Sequence, residues 1–185
     1  MCGIAGIYSH KPVATELYDS IIHLQHRGQD AAGIMTYDER MHKEKGMGLA
    51  KEVFNESNME LLTGNIGISH NRYPTHGGFS HGEVQPFWTS VPYGIALAHN
   101  GNLTNYNELA EEITHKDSRY LNTNSDSEVL LHYFADLLHT NNPPEDSEEF
   151  FYLLCNAVTK IFKHVKGAYS VVSLVIGKGL VVFRD

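Results

Sequence analysis

The sequence predicts an α+β fold in which two sheets pack face to face with helices outside them. Three observations carry this. Apolar, strand-like runs gather toward the two ends of the 185-residue chain, helical periodicity fills most of the middle, and several strands are apolar on both faces. Strands of that kind are sheltered on both sides, which a pair of packed sheets provides. A chain of this length buries one sizeable core and is short for two domains.

The elements follow in order. Residues 2–8, CGIAGIY, read as a short apolar strand. After Pro12 a helix is expected over 14–26, with Leu17, Ile21, Ile22 and Leu24 inward and Gly28 as its C-cap. Residues 31–37 form the next strand, followed by a polar, glycine-broken segment to Gly48 and a short stretch of helical spacing over 52–62. Strands are expected at 64–73 and 93–99. Between them, residues 74–92 are rich in Gly, Pro, Ser and His without periodicity, and a long irregular loop of this kind marks a lid or binding loop. Asn105 with Glu108 suggests a capping box for a helix to about Thr114, and Ser125 with Glu128 a second, before the helical face Val129, Leu130, Tyr133, Phe134, Leu137 and Leu138. A polar linker over 141–147 leads to a helix over 148–165 with Phe151, Leu154, Val158, Ile161 and Phe162 inward, and with Cys155 in its core. Strands over 168–176 and 180–183 then form a hairpin about Gly177-Lys178-Gly179. The run stops straight out of a strand at Phe183-Arg184-Asp185, as expected of one domain, 1–185, cut from a longer chain.

Composition narrows the function. A net charge of -8 without any basic cluster argues against a nucleic-acid partner. No apolar run reaches the roughly 18–20 residues that cross a bilayer, and no basic region precedes an apolar one as in a signal peptide, so no membrane partner and a cytoplasmic location are expected. Two cysteines, Cys2 and Cys155, make no disulfide framework and cannot alone build a zinc or iron–sulfur site. His70, His76 and His81 lie near one another, but neither HExxH spacing nor paired cysteines accompany them, and no metal site is expected.

The candidate chemistry begins at Cys2. Once the initiator methionine is removed, one residue carries both a thiol and a free α-amine, and a neutral amine can activate its own thiol. A small buried cysteine in an edge strand is the equally good bland alternative. Acyl transfer needs oxyanion donors, and Asn100 Nδ2 with the Gly101 N–H, at the end of an apolar strand, can supply them; N-G is also simply a turn. Arg72 suits a substrate carboxylate and Asp126, in a helix first turn, suits an ammonium group. Each of these also reads as a surface salt bridge or as helix-end electrostatics.

In combination the motifs are specific. Cys2-Gly3-Ile4, the run from Leu24 to Gly33 (LQHRGQDAAG), Arg72-Tyr73-Pro74-Thr75-His76-Gly77, His99-Asn100-Gly101-Asn102-Leu103 and Ser125-Asp126-Ser127-Glu128 stand in this order across almost the whole chain. The set resembles the glutaminase domain of class II glutamine amidotransferases, of the N-terminal-nucleophile hydrolase kind, and most closely those in which a phosphoribosyltransferase domain follows. The resemblance implies a four-layer α-β-β-α sandwich and L-glutamine as substrate. It implies Cys2 as nucleophile, Asn100 and Gly101 at the oxyanion, Arg72 and Asp126 on the amino-acid head, Thr75, His76 and Gly77 closing over it, and Arg27 and Gly28 shaping the pocket. It further implies no cofactor in this domain: Mg²⁺ belongs with the transferase domain, and no Fe–S cluster is expected where Cys2 is immediate and only Cys155 remains. The longer protein is expected to be a homo-oligomer. Three alternatives stay open: a domain serving hexosamine-phosphate, asparagine or glutamate synthesis, a catalytically silent glutamine-binding module, and an amidase with another substrate.

Overall fold

A computed structural model describes residues 1–73, 81–117 and 119–185. Its strands are β1 (Gly3–Tyr8), β2 (Ala31–Tyr37), β3 (Met41–Met47), β4 (Ile66–Arg72), β5 (Phe87–Thr89), β6 (Ile95–Leu103), β7 (Gly167–Val175) and β8 (Gly179–Arg184). The helices are α1 (Ala14–Leu24), the single turns α2 (Ala50–Val53) and α3 (Glu56–Met59), then α4 (Tyr106–Asp117), α5 (Asp126–Leu138) and α6 (Ser147–His164). Two four-stranded sheets form, ordered β1-β4-β2-β3 and β5-β6-β7-β8. Every pairing is antiparallel.

Strand alternation sorts the apolar residues into three layers of packing. Ala32 and Ile34 of β2 face α1, where Leu17 and Ile21 meet them. Met35 of β2, Ile66 and Ile68 of β4, Ala96 and Ala98 of β6 and Val172 and Leu174 of β7 fill the space between the sheets. Ile95, Leu97, Val171 and Val175 point the other way, against Ile113, Phe134 and Ile161 of α4, α5 and α6. The architecture is the α-β-β-α sandwich. The seam between the sheets is narrow at Gly6, where a Cβ would stand 2.6 Å from Val172 Cγ1.

Several local expectations change. The segment before Gly48 is the edge strand β3, and β5 lies within the supposed loop. Helix α1 ends at Leu24 with a tighter turn over Gln25–Arg27, and Gly28 follows in extended geometry rather than as a left-handed cap. Ile22 is exposed on α1, Phe151 and Phe162 are exposed on α6, and Phe150 and Ala157 are buried in their place. Cys155 is exposed, not core. Asn105 does not close a capping box with Glu108. Its amide bonds the His164 carbonyl (2.9 Å) and the Lys166 N–H (2.9 Å), pinning the start of α4 to the approach of β7. Among the described residues no helix is long and apolar enough to cross a membrane.

Candidate active site

The seam changes character at one end. Along β4 the inward face runs Ile66, Ile68, His70, Arg72; along β6 it runs Ala96, Ala98, Asn100. Cys2 continues the face of Ile4 and Gly6 beyond the start of β1. The apolar filling thus gives way to a thiol, a guanidinium and an amide at the same level, and a cleft of about 360 Å³ opens there. Cys2, Arg72, Gly101 and Asp126 line it, together with Glu83, Gln85 and Tyr106.

Each group is held by a bond that the local fold makes available. The Cys2 N–H donates to Asn100 Oδ1 (3.0 Å), joining the two sheets at Cys2. Arg27 Nε donates to the Cys2 carbonyl (3.2 Å), so the turn after α1 steadies the same residue from outside. Gly28 does not line the cleft; a Cβ there would stand 2.5 Å from the Arg72 carbonyl carbon, so only glycine lets this turn pack against the end of β4. Arg72 Nη1 lies 3.8 Å from Glu83 Oε2. Asp126 begins α5, whose first turn is capped by Ser125 Oγ accepting the Ser127 N–H (3.3 Å). Asp126 Oδ2 accepts the Leu103 N–H (3.0 Å) at the end of β6.

The Glu128 half of the second capping box is absent. Glu128 is buried and turns back instead, accepting from the N–H groups and side chains of Asn122 and Thr123 at 2.7–2.9 Å. Burial alone would raise its carboxyl, but these four bonds outweigh it and hold Glu128 below the ordinary carboxylate value. The loop carrying Asn124 and Ser125 into the cleft is shaped by that carboxylate.

Two buried histidines stand at the cleft, His99 in its lining and His70 on the inward face of β4. Burial lowers His99, with Asp126 pulling the other way. Burial, then the neighbouring His99, Arg72 and Lys45, push His70 down to about 3. Since the unfolded chain binds that proton near the ordinary value of ~6.5, His70 contributes stability that is present above it and lost as pH falls from there toward 3. The thermal midpoint is therefore expected to drop between pH 7 and pH 5, and more steeply in the native chain than in His70→Gln. Equal slopes in the two melts would show that another group carries the effect.

Of the residues singled out in the sequence, Cys2, Arg72, Gly101 and Asp126 share the cleft, with Asn100 and Arg27 bonded to Cys2. Thr75, His76 and Gly77 lie outside the described residues. Among the described residues no three His, Cys, Asp or Glu side chains converge as metal ligands would. Glu83, Gln85 and Tyr106 escaped sequence reasoning, because no spacing ties them to the other motifs.

Residues 70–185 match the family profile of the glutamine amidotransferase domain. The chain belongs to that family. Among curated relatives, this glutamine amidotransferase domain is 49% identical to an amidophosphoribosyltransferase of Pseudomonas aeruginosa and 46% identical to that of Escherichia coli. Each match covers 100% of the chain and 36% of the relative, so the chain spans about a third of their length. A solved glutamine phosphoribosylpyrophosphate amidotransferase of B. subtilis, complexed with ADP and GMP, superimposes with a TM-score of 0.79 at 30% identity, over 100% of this chain and 37% of that one. A predicted glutamine amidotransferase of Pseudomonas aeruginosa shares the fold at TM-score 0.61 and 16% identity, over 100% of this chain and 73% of that one.

Proposed function

We propose that this domain hydrolyses the side-chain amide of L-glutamine through a thioester on Cys2. In the longer protein, the released ammonia is passed to phosphoribosyl pyrophosphate, giving 5-phosphoribosylamine, the first step of purine synthesis. The observation that carries the glutaminase reading is the convergence of Cys2, Gly101, Arg72 and Asp126, from four separate elements, on one cleft. The names of the relatives, and the third of their length that this chain spans, support the transferase partner.

The steps follow from the groups present. Met1 is 74% exposed, and its removal turns the Cys2 nitrogen, already 3.0 Å from Asn100 Oδ1, into a primary amine. That amine takes the thiol proton as Sγ attacks the amide carbon. Asn100 presents Oδ1 to the amine, which leaves its Nδ2 hydrogens, with the Gly101 N–H, to hold the oxyanion. As the tetrahedral adduct collapses, the C–N bond breaks and the Cys2 ammonium returns its proton to the departing ammonia. Water then cleaves the thioester, with the same amine as base, to give glutamate. Arg72 pairs with the substrate carboxylate beside Glu83, and Asp126 holds the substrate ammonium. Thr75, His76 and Gly77 complete the pocket in this reading.

Thiol, base and oxyanion donors all come from the chain, so no cofactor is assigned to this domain. Mg²⁺ belongs with the transferase domain, and no Fe–S cluster is assigned. The longer protein is taken as a cytoplasmic homo-oligomer. Intact mass spectrometry after treatment with 6-diazo-5-oxo-norleucine tests the mechanism. The expected mass lacks Met1 and carries one adduct, at Cys2. A retained methionine, or an adduct on the exposed Cys155, overturns it.

A further inference from the structure

The edge of β6 beyond β5 holds an arrangement that the steps above leave unused. β5 and β6 pair at Phe87↔Leu97, and that register, carried on, sets residue 85 opposite residue 99. The backbone does not make this rung. Gln85 Oε1 accepts the His99 N–H (2.7 Å) and Gln85 Nε2 donates to the His99 carbonyl (3.2 Å), so one side-chain amide supplies both halves of it. Two residues on, the N–H of Gly101 faces the same edge. Tyr169, opposite Gly101 on β7, gives its own N–H and C=O to Asp185, and antiparallel alternation then turns Gly101 toward the β5 side. Two residues further, the Leu103 N–H is taken by Asp126. Along the edge stand an amide cap, the Gly101 N–H and a carboxylate cap.

The ladder must stop after the first rung for the Gly101 N–H to serve a ligand. Had β5 continued as backbone, residue 83 would come opposite Gly101. The side chain of Gln85 completes rung 99 and ends the sheet there. Its Nε2 also donates to Ser127 Oγ (2.9 Å) in the first turn of α5, beside Asp126. One buried amide is thus bonded both to the strand bearing Asn100 and Gly101 and to the helix bearing Asp126. Gln85 is itself clamped from the other sheet, where Lys45 Nζ of β3 donates to the carbonyls on either side of it, Val84 (2.5 Å) and Pro86 (3.3 Å).

Building on the glutaminase reading, we propose that Gln85 is a positioning residue. It ends the β5–β6 ladder one rung short of Gly101 and fixes the distance between the oxyanion donors and the ammonium-binding carboxylate. Gln85→Leu keeps the bulk and removes all three bonds; Gln85→Glu keeps the acceptor for the His99 N–H and removes the two donated bonds. In the full chain both variants are expected to lose about 10²-fold in kcat/KM for glutamine, divided between a lower kcat and a higher KM, as for misplacement by a fraction of an ångström to an ångström. Alkylation of Cys2 by iodoacetamide, read by peptide mass, needs neither arm and is expected to stay within about twofold of the native rate. Either variant retaining kcat/KM within threefold overturns the inference. So does loss of iodoacetamide reactivity in step with turnover in both, which is the signature of a merely structural side chain. A native chain that does not hydrolyse glutamine overturns the glutaminase reading instead, so the two failures are distinguishable.

Discussion

Cys2→Ser is expected to reduce glutamine hydrolysis by at least about 10³-fold while leaving glutamine binding near its native strength. An alcohol in place of the thiol is a far weaker nucleophile for a single amine base, and removal of a nucleophile from a catalytic set typically costs several powers of ten. The substitution changes little else. Cys2 is half-buried, its N–H and carbonyl bonds to Asn100 and Arg27 are made by the backbone, and Arg72 and Asp126, the proposed carboxylate and ammonium sites, lie on other elements. Glutamate release and isothermal titration, run side by side on the native and serine chains, separate the outcomes. Binding with turnover lost supports the mechanism. Turnover unchanged by the substitution removes Cys2 from the nucleophile's role, and binding without turnover in the native chain as well identifies a silent glutamine-binding module.

The next largest effect is expected at Asp126. Asp126→Asn keeps an oxygen to accept the Leu103 N–H, so the end of β6 stays tied to α5, but it removes the charge proposed to face the substrate ammonium. A charge-assisted hydrogen bond in a partly desolvated cleft contributes about 1.5–3 kcal/mol, and leaving the ammonium unpaired there costs more. The expected loss is about 10²-fold in kcat/KM for glutamine, mainly as a higher KM. A substrate that lacks the α-amino group, 4-carbamoylbutanoate, is expected to react equally in the two chains. If the asparagine variant handles both substrates like the native chain, Asp126 serves only to cap the end of β6.

The sequence and the structure agree where a signal is local or repeated. Strands such as β2 and β6, apolar on both faces, state their own burial, and helix α5 announces both its Ser125 cap and its inward face. Disagreement has particular causes. β3 is a half-exposed edge strand of mixed polarity, MHKEKGM, and β5 has three residues, so neither shows periodicity. On α6 the adjacent Phe150 and Phe151 allow two helical phases, and only tertiary packing selects Phe150, which meets Tyr93 in the core under α5, leaving Phe151, Phe162 and Cys155 exposed. Asn105 and Glu128 look like ordinary capping residues, yet partners 59 residues away in one case and in the preceding loop in the other claim their side chains. The candidate site divides the same way. Cys2, Arg72, Asn100, Gly101 and Asp126 sit in recognisable strings, whereas Gln85 takes its place from a register that only the assembled sheet defines.

The narrow seam between the sheets has a bearing on the cleft. Cys2 stands at the start of β1 on one sheet and Asn100 and Gly101 on the other, so the reach from the proposed nucleophile to the proposed oxyanion donors depends on how closely the two sheets lie. Gly6, Ala96 and Ala98 act as shims of minimal thickness. A methyl group added at Gly6, four residues from the thiol, has no room against Val172 Cγ1 unless that side chain or the opposite sheet gives way. The sandwich is in this sense a caliper, the gap between its jaws at the proposed site set in part by residues that lie outside the cleft.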